Sequence, residues 1–164
     1  ADYVFKPSII RRKDALGVVH RNPREEMPTR SREALLADIK VSLSGYVAEK
    51  LRYGTTSTGV AMDFRNAMSI AHAMVWQLGM NDAGLVGDYT AIPETQLSED
   101  VKKELNVETQ KVFNRCLKDV EDLLTKEKTI LERFVHELLE KEELDYDAIE
   151  AIFREYGKTQ VKPA

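Results

Sequence analysis

The spacing of apolar residues divides the chain into an extended beginning and a series of helices. Residues 3–19 are rich in β-branched side chains and contain a proline, which is unfavourable inside a helix. This segment is therefore predicted to be extended, with a second short strand over residues 14–19. Two strands alone are marginally stable in water, so we expect them to pack on helices or to extend a larger sheet. Residues 20–29 are polar, contain two prolines and are predicted to be a loop.

Apolar residues then recur every three or four positions, which predicts five helices. Thr29 or Ser31 can cap the first helix, and Gly54 is a natural place for it to end. The last helix is expected to begin at Asp145. The expected helices cover about 31–53, 60–78, 98–125, 127–141 and 145–156. The pattern predicts one mainly α domain over residues 1–164, with a small β element at its N-terminus.

Composition narrows the function classes. Apolar residues make up 43% and charged residues 32% of the 164 residues, a balance typical of soluble globular proteins. The net charge of -4 argues against a nucleic-acid partner. The single cysteine, Cys116, excludes a disulfide within the chain and is expected to be a packed core thiol. No apolar run approaches the roughly 20 residues of a membrane span. The chain opens at Ala1 inside a strand-like pattern, which suggests a piece of something longer.

The three histidines do not form a metal motif. His20, His72 and His136 include no pair spaced four residues apart, so the sequence contains no HExxH. Each is expected to be a surface or packed histidine. A serine nucleophile elbow and a phosphate-binding glycine loop are also missing from the sequence. No self-sufficient catalytic constellation is found.

Asp63 differs from the many other acidic residues. Most of those alternate with lysines on the two late helices, as on solvated helix faces. Asp63 instead lies near the start of the second helix, just after a small polar turn. Taken locally, the pattern favours a first-turn acid that is stabilised by the helix dipole. The alternative is a functional carboxylate.

Several segments resemble the FtsH family of ATP-dependent membrane metalloproteases. Residues 45–54, GYVAEKLRYG, are similar to that family's GGRAAE-E-L-aromatic-G, and residues 58–64, TGVAMDF, to its TTGA-x-N-D-L. Residues 67–80 follow A-T-x-I-A-R-x-M-V…G-M, residues 9–17 follow I-I-P-R-G-x-A-L-G, and residues 138–145 follow A-L-L-E-K-E-T-L-D. The matches occur in the family's order over most of the chain.

The resemblance implies a zinc site. In that family two histidines of HExxH and an aspartate from a later helix hold zinc, and the intervening glutamate is the general base. Asp63 falls on the position of the aspartate ligand. The HExxH helix would lie before Ala1, so no catalytic residue is expected in this chain, which should be inactive by itself. Met62 and Lys50 depart from the family's asparagine and glutamate, which hints at a divergent member.

The resemblance also implies a substrate-binding edge strand. An extended substrate can pair with such an edge through its backbone, which suits a protease with little sequence preference. An ordinary edge strand is the equal alternative. The residues concerned are Ala15, Leu16, Gly17, Val18 and Val19.

The parent implied by the resemblance degrades unfolded or membrane proteins. It would carry membrane helices and a separate ATPase module that binds ATP, and its peptidase domains would pack as a hexamer. This domain would be soluble, on the cytoplasmic or the matrix/stromal side. Two alternatives stay open: a degenerate protease-like module with an assembly or chaperone role, and a plain helical interaction module.

Overall fold

The structure is a computed structural model that describes residues 3–10, 18–22 and 29–159. It divides into two compact units, one formed by Ala1–Pro28 with Lys126–Ala164 and the other by Thr29–Thr125. Five helices and a two-stranded sheet make up the described elements, so the predicted mainly α class with an N-terminal β element is confirmed. That residues 1–164 form one domain stays a prediction.

Three helices form the unit over residues 29–125. They are α1 (Arg32–Tyr53), α2 (Ala61–Trp76) and α3, which runs from Glu99 to Lys126 at the border of the unit. Apolar residues at helical spacing on all three meet in one core, as the periodicity predicts. Its fully buried members include Ile39, Leu43, Ala67, Ala71, Met74, Val75, Leu105 and Cys116.

Local signals set the ends of α1 and α2. The Ser31 hydroxyl accepts the backbone N–H of Ala34 and caps α1, so of the two candidate caps it is Ser31 that acts. Gly54 ends α1 with φ 70°, a left-handed conformation that costs glycine little. Gly79, with φ 62°, follows the end of α2, where the Met80 amide donates to the Met74 carbonyl.

The loop between α2 and α3 is held by side-chain hydrogen bonds and contains two short 3₁₀ turns, Tyr89–Ala91 and Glu94–Gln96. Glu108 of α3 is 3% exposed, and its carboxylate accepts the backbone N–H of Asp82 at 3.3 Å. The Lys111 ammonium beside it is the main reason that the pKa of Glu108 lies below its usual value. This buried carboxylate therefore ties the loop to α3.

In the other unit, the hairpin consists of β1 (Tyr3–Ser8) and β2 (Val18–Asn22). The strands are antiparallel, with Ser8 opposite Val18 and a register shift between Val4 and Lys6. The prediction of a loop from residue 20 is wrong at its start, because residues 20–22 continue β2. Pairing with β1 satisfies the backbone hydrogen-bonding groups of these residues. This pairing stabilises a strand where the sequence pattern favours one only weakly.

Helices α4 (Lys128–Lys141) and α5 (Tyr146–Glu155) complete this unit. The segment between them pairs with the strand β1, since the Ile9 amide donates to the Glu142 carbonyl and the Leu144 amide to the Pro7 carbonyl. The Asp145 carboxylate caps α5 by accepting the Ala148 amide. Leu144 and Ile149, which flank this cap, are each 1% exposed and share a small core, as in a hydrophobic staple.

Within the described ranges, no helix combines the length and the hydropathy that crossing a bilayer requires.

Candidate metal-ligand position at the start of helix α2

Asp63 lies in the first turn of α2, as the sequence predicts, and its side chain is exposed. The carboxylate is directed towards α1: a β-carbon built on Gly45 would lie 3.6 Å from Oδ2 of Asp63. Among the described residues, no hydrogen bond or ion pair to this carboxylate is found. The carboxylate is therefore an exposed group beside α1 at the start of α2.

The neighbouring residue Phe64 fixes the start of α2 from the apolar side. Its ring lies 4.9 Å from that of Tyr46 on α1 and 6.3 Å from that of Phe113 on α3. Such tilted aromatic pairs stabilise beyond the burial of their area. With Phe64 directed into the core, Asp63 is left on the outer side of the helix, and Met62 is 68% exposed.

A polar anchor fixes the same region from the other end of the turn. The Glu49 carboxylate accepts the Ser57 backbone N–H at 2.8 Å and the Ser57 hydroxyl at 3.0 Å. The Ser57 hydroxyl oxygen in turn accepts the Gly59 amide at 3.3 Å, which caps the 3₁₀ turn Thr58–Val60 that leads into α2. The turn before Asp63 is thus tied to α1.

The donor set was tested against the needs of zinc, which takes four ligands in structural sites and three protein ligands in catalytic ones. No group of three histidine, cysteine or acidic side chains that could hold a metal occurs among the residues that the structure describes. Asp63 fits the role of one carboxylate ligand, but these residues alone do not supply a complete site. No catalytic step is therefore derived from them.

The described histidine side chains have local partners. His72 stacks on Trp76 with ring centroids 4.8 Å apart and an angle of 11° between the planes. His136 lies 3.5 Å from Glu140, four residues along α4. Both contacts agree with the prediction of packed or surface histidines.

Of the predicted substrate-binding edge, only the end is described. Val18 and Val19 belong to β2, opposite Ser8 and Pro7 of β1, and the Val19 side chain is 53% exposed. Ala15, Leu16 and Gly17 lie outside the described residues. The substrate-binding role of this strand stays a prediction.

Comparison with known proteins identifies the family. A sequence profile described as Peptidase family M41 matches residues 1–152. An ATP-dependent zinc metalloprotease FtsH of Pelodictyon phaeoclathratiforme is 33% identical, covering 93% of this chain and 25% of that protein. Proteins of the same name from Thermobaculum terrenum (31% identical, 100% of this chain, 27% of that protein) and Borreliella burgdorferi (33%, 88% and 24%) are similar to it as well.

Fold and comparisons together define a metalloprotease-type peptidase domain. The chain belongs to Peptidase family M41, as an FtsH-type peptidase domain. It spans about a quarter of the length of these relatives. The names of the relatives do not favour a protease-like module that has lost catalysis.

The anchor between Glu49 and Ser57 was not predicted from the sequence. A Ser two residues before a glycine is a local capping signal, and it could have indicated the turn. The partner carboxylate lies eight residues earlier, across the reversal at Gly54. Only the path of the chain through that reversal brings the two together.

Proposed function

We propose that this chain is part of the proteolytic domain of an ATP-dependent zinc metalloendopeptidase, and that Asp63 supplies a carboxylate ligand to its zinc. The observation that carries the proposal is the position of Asp63: an exposed carboxylate in the first turn of α2, within a chain of Peptidase family M41. A carboxylate oxygen is a suitable ligand for zinc, and a helix start holds it in a defined place. Bound zinc would polarise a peptide carbonyl and activate water.

The remaining zinc ligands and the general base are proposed to come from an HExxH helix, which the sequence of this chain does not contain. We accordingly expect no peptidase activity from this chain alone. Zinc would be a cofactor of the intact domain, and ATP would bind in a separate ATPase module. The chain would act within a homo-oligomer, which the resemblance implies is a hexamer. The parent protein would be anchored in a membrane.

The proposed substrates are unfolded or membrane proteins. A site that binds the substrate backbone is supported by β2. The exposed Val19 of this strand falls within the edge segment implied by the resemblance. Pairing through backbone hydrogen bonds suits substrates of many sequences. Residues 15–19 would form this edge.

The test compares this chain with a longer product of the same gene that extends upstream. Zinc content and cleavage of an unfolded protein are measured for both, each with an Asp63→Ala variant. The matched control is Asp100→Ala, which removes another exposed aspartate from the first turn of a helix.

We expect the extended protein to bind one zinc per chain, to cleave substrate, and to lose both properties with Asp63→Ala but not with Asp100→Ala. Truncation of a ligand should lower zinc affinity by at least about tenfold. An extended protein that binds zinc equally well after Asp63→Ala would show that Asp63 is only a first-turn acid.

A further inference from the structure

We propose that Ser57 is a positioning residue for Asp63, acting through the turn that joins α1 to α2. This inference rests on the proposed function, because it concerns how the same carboxylate is held in place. In this proposal Ser57 is not itself a zinc ligand. Its hydroxyl links the start of α2 to the Glu49 carboxylate on α1.

Ser57 makes three hydrogen bonds to other described residues. Both its backbone N–H and its hydroxyl donate to the Glu49 carboxylate, at 2.8 and 3.0 Å. The same hydroxyl oxygen accepts the Gly59 amide. Hydrogen bonds to a charged acceptor are about twice as strong as neutral ones. One serine therefore joins a carboxylate on α1 to the 3₁₀ turn in front of α2.

The helix α2 lacks a side-chain cap of its own. Val60 occupies the N-cap position, and no side-chain hydrogen bond caps the helix there. The backbone continues directly from the 3₁₀ turn, where the Ala61 amide donates to the Thr58 carbonyl. The Ser57 hydroxyl is thus the side-chain group that caps the chain just ahead of Asp63.

One face of α1 lies against both the turn and the start of α2. Gly45 and Glu49 are four residues apart and lie on the same face of that helix. Asp63 lies over Gly45, and Ser57 is bonded to Glu49. The same face of α1 therefore holds the turn through Glu49 and lies beside the carboxylate at Gly45. Loss of the Ser57 hydroxyl would leave only the Ser57 backbone N–H bonded to Glu49 and would remove the cap at Gly59. The turn should then loosen and let Asp63 move relative to Gly45.

The test uses Ser57→Ala, which removes the hydroxyl, and Ser57→Thr, which keeps it. The matched control is Ser44→Ala on α1, where the lost hydroxyl donates only to the Val41 carbonyl of its own helix. In this chain, NMR measures the hydrogen exchange of the Gly59 amide and the carboxyl-carbon signal of Asp63. In the extended protein, zinc affinity is measured by competition with a fluorescent zinc chelator, with and without Asp63→Ala.

We expect Ser57→Ala to speed exchange at Gly59, to shift the Asp63 signal, and to lower zinc affinity about tenfold, the size typical of lost outer-shell support. Ser57→Thr should restore all three, and Ser44→Ala should change none. Combined with Asp63→Ala, Ser57→Ala should cause no further loss, because its effect passes through Asp63.

Two results would overturn the inference. One is an unchanged zinc affinity in Ser57→Ala when Asp63→Ala does lower it. The other is a Ser57→Ala loss that persists in full after Asp63→Ala, which would show general destabilisation. A zinc affinity that Asp63→Ala leaves unchanged would instead contradict the proposed function. Failure of the inference and failure of the proposed function are therefore distinguishable.

Discussion

Oδ2 of Asp63 lies 3.6 Å from the position that a β-carbon would take on Gly45. This separation is ordinary van der Waals contact, so one methyl group fits between the helix α1 and the carboxylate. The residue at position 45 therefore limits how closely the start of α2 approaches α1.

Gly45→Ala is expected to be tolerated and to stabilise the protein. Alanine favours a helix interior by about 0.8–1 kcal/mol over glycine, and the added methyl group meets Asp63 without overlap. Gly45→Leu should instead displace the carboxylate. Urea denaturation measures the stability, and zinc affinity of the extended protein measures the displacement. If Gly45→Ala lowers the stability, or if Gly45→Leu keeps full zinc affinity, this interpretation of the contact between position 45 and Asp63 is wrong.

Glu142→Gly is expected to stabilise the unit that contains α4. Glu142 ends this helix with φ 63°, the only positive φ of a non-glycine residue in the described part of the chain. A left-handed conformation costs a side-chain-bearing residue about 1 kcal/mol, and glycine avoids this cost. The free energy of unfolding should rise by up to about that amount. The control Glu140→Gly, inside α4, should lower it, and equal effects of the two changes would refute the explanation.

Glu137 should contribute to stability in a pH-dependent way. Lys141 and Arg133 both bond to its carboxylate and lower its pKa from 4.5 to about 2. A folded-state pKa below the unfolded one gives a contribution that is present above pH 4.5 and is lost as pH falls through about 2. Denaturation of wild type and Glu137→Gln at several pH values should show a difference that shrinks over this window. Glu132→Gln, which removes the looser contact with Lys128 at 3.8 Å, is the control and should show a smaller pH dependence.

Cys116 should be unreactive in the folded protein. Its side chain is 0% exposed, and burial raises the pKa of the thiol above the usual 9.0. The aromatic disulfide reagent DTNB should therefore label it slowly at pH 8 and rapidly in denaturant. Because the folded-state pKa is raised, the associated stability is complete below pH 9.0 and declines as pH rises beyond it. Cys116→Ala should lack this decline, and fast labelling of the native protein would contradict the burial.

Much of the helical architecture follows from short-range signals. Ser31, Gly54 and Asp145 act at the helix ends that the sequence indicates, because caps depend on residues within one turn. The buried Cys116 likewise follows from helical spacing. The position of Asp63 at the start of α2 belongs to the same category, since a small polar turn before an apolar helical pattern indicates a helix start.

Other features depend on partners that are distant in the sequence. The strand β2 extends to Asn22 because residues 20–22 pair with β1. Local polarity indicates a loop there, because backbone pairing leaves little trace in the types of side chain. The end of α4 at Glu142 also depends on a distant partner, because the Ile9 amide donates to the Glu142 carbonyl. Glutamate is an unusual residue in the left-handed conformation found there.

The sequence by itself determined the helices, their caps and the motifs that mark an FtsH-type domain, because these depend on neighbours along the chain. The tertiary structure decided that Asp63 faces Gly45 and that Glu49 holds Ser57. Those relationships require α1 and α2 to pack against each other around the core that Phe64 enters. Side chains from separate helices meet only after that packing has fixed the distance and rotation between the helices.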